Sequence, residues 1–132
     1  MFSHVMVGTN DIDKSKTFYD AVLGTLGYSG QAMPNTADSG HKRLFYLHNG
    51  GVLAISEPIN DEPACFANGG TIGFRCETAD QVKAFHEAGL AAGGSTDQDP
   101  PGLRPGGALG PMHLAYLRDP DGNKLCAMYR GA

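Results

Sequence analysis

The sequence predicts an α+β fold made of two βαβββ modules, and three observations carry that prediction. The first is an internal repeat: His4, which opens one apolar run, lies 14 positions before Phe18, and Thr71, which opens another, lies 14 positions before Phe85. The second is the alternation of short β-prone runs with amphipathic stretches, each bounded by turn residues. The third is glycine, at 19 of 132 residues, roughly twice the usual share of about 7%. No Gly-X-Y period exists, so collagen is excluded and turn-rich β structure is favoured.

Taken in order, His4-Val5-Met6-Val7 reads as the opening strand. Asp11 and Asp13 can each cap a following helix that carries Phe18, Ala21 and Val22 on one face and ends near Gly24 or Gly27. Arg43 to His48 and Val52 to Ile55 flank Asn49-Gly50, a pair suited to a tight hairpin turn with positive φ. Module one thus spans about 1–58, and Pro58 to Asn68 reads as a linker. Module two, about 68–130, opens with the strand Thr71 to Cys76. Thr78 and Gln81 then have capping-box spacing, ahead of a helix that buries Val82 and Phe85 and stops by Gly93-Gly94. Met112 to Leu117 and Lys124 to Tyr129 form the second hairpin around Asp121-Gly122. Between them, Ser95 to Pro111 holds four prolines and four glycines, which predicts a long loop, either a lid over a site or a surface excursion.

The length suits one domain, 1–132, and 41% hydrophobic against 18% charged residues supports a packed core. A net charge of -4 and the absence of a long basic run argue against nucleic-acid binding. Three cysteines, Cys65, Cys76 and Cys126, with no CxxC pair fit reduced thiols rather than a disulfide framework or a zinc finger. No signal-peptide pattern or membrane-length apolar stretch occurs, so the expected location is cytoplasmic, away from membranes.

His4 on the first strand, the helix ending Phe18-Tyr19-Asp20-Ala21-Val22-Leu23-Gly24, and Asp119-Pro120-Asp121-Gly122-Asn123-Lys124-Leu125 near the end resemble the vicinal oxygen chelate superfamily. That superfamily includes glyoxalase I, fosfomycin- and bleomycin-resistance proteins and extradiol dioxygenases. The resemblance covers nearly the whole chain. It implies that the paired modules curl into a half-open mixed β-barrel around a pocket, with flanking helices, and that a homodimer is the expected assembly. Its metal enzymes place one ligand on the first and last strand of each module. His4 matches the first of these positions, but Ala54, Thr71 and Cys126 stand where glutamate, histidine and glutamate would be expected. His4 and Cys126 would make half a zinc site, and Glu57 would join only through a strand bulge. The expectation is therefore a pocket without a cofactor, and a divalent metal is the competing one.

Strand alternation then places His4, Met6, Ala54, Ser56, Thr71, Gly73, Arg75, Leu114, Tyr116, Cys126 and Met128 on the pocket side. Arg75 reads as the one inward permanent charge, either an anchor for an anionic ligand or half of a salt bridge. Tyr116 is either a pocket residue, matching a tyrosine that fosfomycin-resistance enzymes aim into their site, or a core residue with its hydroxyl at the rim. Cys126 reads as an inert buried thiol, and His4 as a ligand or a core histidine. The function expected is binding of a small molecule in the manner of bleomycin-resistance proteins. A metal-dependent glyoxalase-like lyase or isomerase is the competing reading, and a purely protein-binding domain is the third. Whether the modules pair within a chain or between two chains is left open.

Overall fold

The computed structural model describes all residues from Met1 to Ala132. Its elements run β1 (Val5–Gly8), α1 (Ile12–Gly24), β2 (Met33–Thr36), β3 (Lys42–His48), β4 (Gly51–Ser56), β5 (Ile72–Arg75), α2 (Ala79–Ala91), β6 (Ser95–Arg104), β7 (Met112–Arg118) and β8 (Lys124–Arg130). Strand, helix and three strands occur twice, as the repeat predicts. Each repeat builds its own four-stranded mixed sheet, ordered β1-β4-β3-β2 and β5-β8-β7-β6. In each, the first strand lies parallel to the last.

Local chemistry explains the boundaries. Asp11 caps α1, its Oδ1 accepting from the backbone N–H of Asp13 and Lys14, both at 3.1 Å. Thr78 caps α2 through the Gln81 N–H, while the Gln81 side chain reaches back to the N–H of Glu77. Asn49 and Gly50 both adopt positive φ, 50° and 80°, so the β3–β4 hairpin closes in the turn that Asn-Gly favours.

One expectation needs correction. Ser95 to Arg104 is not a loop but β6, paired with β7 on either side of a bulge between Asp97 and Gly102. Pro100 and Pro101 sit inside that bulge on an edge strand, where no ladder bond is demanded of them, and Gln98 takes a φ of 54° to make the detour. The short edge strand β2 also leaves no pattern in the sequence, having Pro34 in the middle of four exposed residues.

Both sheets and both helices share one core. Phe18, Tyr19 and Val22 of α1 and Val82 and Phe85 of α2 pack with Leu44, Tyr46 and Ile55 of the first sheet and Leu117, Leu125 and Ala127 of the second. The halves are further tied by the β7–β8 turn. Asp119 accepts from the Tyr19 hydroxyl (2.6 Å), from Asn123 Nδ2 (2.8 Å) and from the backbone N–H groups of Asp121 and Asn123. Asp121 accepts from the Asn10 N–H (2.8 Å) and the Ser15 hydroxyl, and Asn123 Nδ2 also donates to the Gly8 carbonyl. The Asp-Pro-Asp-Gly-Asn run is thus a structural clasp between the two repeats. No helix is long and apolar enough to cross a membrane.

Candidate functional site

A strand has two faces, and here one face of each sheet is spent on the core. Odd-numbered residues of β7 and β8, such as Ala115, Leu117, Leu125 and Ala127, turn toward the helices, as do Leu44, Tyr46, Leu53 and Ile55. The alternate residues therefore turn away, and these are the ones alternation assigned to the pocket. On the second sheet they form an apolar floor of Met112, Leu114 and Cys126, with Tyr116 and Met128 packed against it. On the first sheet the row Met33, Phe45, Ala54, Met6 runs across four paired strands.

No helix or strand of the chain packs over either floor, although the side chains around them shield Met112, Leu114 and Cys126 to 9%, 8% and 4% exposure. Met6, Met33 and Leu47 remain 46%, 52% and 50% exposed, a large apolar exposure for three residues of one sheet face. The two sheets share no strand ladder and meet through α1 lying against α2. The outer faces consequently point away from the common core, and no sizeable cavity gathers residues from both.

The individual residues fall out as follows. Ala54 and Ser56 are buried on β4, while His4 is exposed just before β1, its Nδ1 within 2.7 Å of the Ser3 hydroxyl. Thr71 is exposed just before β5. Arg75 is exposed at the end of β5 and, with Gly73, Met128 and Arg130, lines a groove of about 500 Å³. Leu114, Tyr116, Cys126 and Met128 pack together on one face of the second sheet. His4 is exposed rather than a core histidine, and it belongs to no group of three metal-ligating side chains.

Arg75 is also not the one charge on its face. Register puts Arg118 opposite Lys124 and Met112 opposite Arg130, and Arg104 beside Met112, all on the same side as Tyr116 and Met128. Arg118 pairs with Asp97 at 2.5 Å and lies over the Phe66 ring. Lys124 sits over the Tyr116 ring at 4.9 Å and donates to the Gln98 side chain. Arg118, Lys124 and Arg130 could have been found by extending the same period-2 count to the strand ends. Arg104 could not, because its strand was read as a loop.

The donor set does not fit the divalent ion that the metal enzymes of the resembling superfamily hold. One exposed imidazole, a methyl, an exposed hydroxyl and a buried thiol occupy the four positions, and no three His, Cys, Asp or Glu side chains gather elsewhere. Burial pushes the Cys126 thiol up, against the opposing pull of Tyr116 and Lys124, and the thiol donates to the Ala127 carbonyl at 3.7 Å. It is accordingly a protonated wall residue rather than a nucleophile. Burial likewise raises the Tyr116 hydroxyl, which stays neutral across the physiological range.

A separate polar cavity lies beyond the strand ends of the first sheet, between Thr9, His41, Glu57 and Asp61. There the Ser39 hydroxyl contacts His41 Nδ1 at 2.6 Å and His41 Nε2 donates to Asp61 at 2.8 Å. This relay fastens the 58–68 segment to the β2–β3 connection. With Asp61 85% exposed, it amounts to a surface clasp.

The family profile of the Glyoxalase/Bleomycin resistance protein/Dioxygenase superfamily matches residues 1–127. A glyoxalase/bleomycin resistance protein from Albidiferax ferrireducens T118 is 54% identical, with a TM-score of 0.88 over 98% of this chain and 99% of that one. A glyoxalase-related enzyme from Fulvimarina pelagi is 23% identical, with a TM-score of 0.71 over 98% of this chain and 88% of that one. A genomically encoded fosfomycin resistance protein from Listeria monocytogenes is 19% identical, with a TM-score of 0.68 over 100% and 92%. The last two share the fold. No curated protein matches the sequence.

Proposed function

The chain belongs to the Glyoxalase/Bleomycin resistance protein/Dioxygenase superfamily, and from that premise we propose that it is a metal-independent small-molecule-binding protein acting as a homodimer. The ligand lies on the outer face of the second sheet, and the first sheet of a second copy closes over it. The observation that carries this reading is the pair of open floors. Two apolar sheet faces in one chain, each backed by the core and neither packed against another element, are met by one two-fold operation that lays each against its counterpart. An enclosed site lined by Met112, Leu114, Tyr116 and Met128 on one wall and Met6, Met33 and Phe45 on the other has the apolar lining with few polar groups that small-molecule sites use. The protein works in the cytoplasm in this reading, where its three free cysteines stay reduced.

The competing reading, a divalent-metal glyoxalase-like lyase or isomerase, rests on the position of His4. Sedimentation equilibrium with elemental analysis separates them. A dimer without stoichiometric metal, dissociated by Leu47→Glu on the open face, is expected. A monomer at micromolar concentration would overturn the shared site, and one metal ion per site would restore the enzyme.

A further inference from the structure

Of the ten lysines and arginines in the chain, five lie on the outer face of the second sheet: Arg75, Arg104, Arg118, Lys124 and Arg130. The protein as a whole is acidic, at -4, so this is a segregation of charge against the overall sign. Asp97 is the one carboxylate on the strands of that face and is engaged with Arg118, while Glu77, just past β5, lines the groove with Arg75 and Arg130 but pairs with neither. Lys124 is occupied by Gln98 and the Tyr116 ring. Arg75, Arg104 and Arg130 meet no carboxylate, and Arg104 donates only to backbone carbonyls, chiefly that of Pro100 at 2.8 Å. Register groups these three at one end of the apolar floor, around Met112 and Met128.

The surface that would close over them supplies no answer. The outward residues of the first sheet are apolar or neutral apart from Arg43, which is held by Asn35, and not one is acidic. Closing such a wall over three unpaired guanidinium groups removes water from charge without replacing it, a costly step unless an anion enters with the ligand. A second regularity concerns the ligand's body. Met6, Met33, Met112 and Met128, every methionine except the first residue, lie on the two open faces. Methionine is polarisable and conformationally adaptable, and it makes favourable sulfur contacts with aromatic rings.

We infer that the ligand is an organic anion with a flat apolar or aromatic body, its rings against the methionine-lined floor and its carboxylate, sulfonate or phosphate at the Arg75–Arg104–Arg130 end. This rests on the outer-face reading above. The test uses two fluorescent probes with the same rings, anilinonaphthalene sulfonate, an anion, and phenylnaphthylamine, which lacks the sulfonate. The intact protein should bind the anion about tenfold or more tightly than the neutral dye. The double variant Arg75→Gln/Arg130→Gln, at two exposed positions that carry no packing, should bring the anion down to the affinity of the neutral dye and leave the neutral dye unchanged. Met128→Gln should weaken both. Equal binding of both dyes, weakened by Met128→Gln but untouched by the double arginine variant, would overturn the anion assignment while leaving the site in place. Binding of neither dye, or binding indifferent to Met128→Gln, would overturn the site and the inference together.

Discussion

Replacing Tyr19 with phenylalanine removes one oxygen from the centre of the molecule and leaves the ring to pack as before. Tyr19 is 0% and Asp119 3% exposed, and the hydroxyl donates to the carboxylate at 2.6 Å. Losing a hydrogen bond to a buried charged group should cost about 2 kcal/mol. The pH dependence makes the test sharper. Burial raises Asp119 above the usual carboxylate range, and the bonds from Tyr19 and Asn123 pull it partly back. A carboxyl raised in the folded state contributes stability that is complete below its unfolded value and is lost as pH rises through the folded one. Without the Tyr19 bond the folded value rises further, so the loss extends to higher pH and grows larger. Urea denaturation followed by circular dichroism should therefore show Tyr19→Phe more destabilising at pH 7 than near pH 4, with an unchanged m-value. A cost below about 0.5 kcal/mol, or one equal at the two pH values, would refute the idea that this bond holds a buried charge between the two halves.

Gly122 has a φ of +90° and its added Cβ would stand 3.1 Å from the Phe66 ring, so Gly122→Val should lower stability by about 2 kcal/mol in thermal denaturation. At Gly94 a Cβ would meet the Arg118 carbonyl at 2.6 Å and the Gly89 carbonyl at 2.9 Å, both backbone. Gly94→Ala should thus cost at least about 2 kcal/mol, measured the same way. Of the three cysteines only Cys65 is exposed, and burial pushes Cys76 up to about 11. Ellman's reagent should accordingly titrate one thiol rapidly in the native protein and three after unfolding.

Local signals were legible wherever a side chain acts on its own neighbourhood. Asn49-Gly50 announces a turn because both residues tolerate positive φ, and Asp11 and Thr78 announce helix starts because each side chain accepts from backbone N–H groups within three positions. Period-2 alternation was equally readable in β7 and β8, where it sorted Leu114, Tyr116, Cys126 and Met128 onto one face. It failed at β6, since prolines that usually end a strand are tolerated in an edge bulge, and Arg104 was lost with it. The separation of His4 from Arg75 and Tyr116 was not legible either. It depends on α1 packing against α2, a contact between distant residues that no local pattern encodes. The Asp-Pro-Asp-Gly-Asn run was read as a turn, and its larger task, anchoring Tyr19, Asn10 and Gly8 of the other repeat, emerges only in three dimensions.

The most direct test of a site closed by two copies is carbon-13 methyl spectroscopy of methionine-labelled protein titrated with anilinonaphthalene sulfonate. Met112 and Met128 report on one wall, Met6 and Met33 on the other, and Met1, fully exposed before β1, serves as the control. All four wall resonances should shift together, saturating at one dye per wall pair, while Met1 stays still. Shifts confined to Met112 and Met128, or to none of the four, would contradict the account.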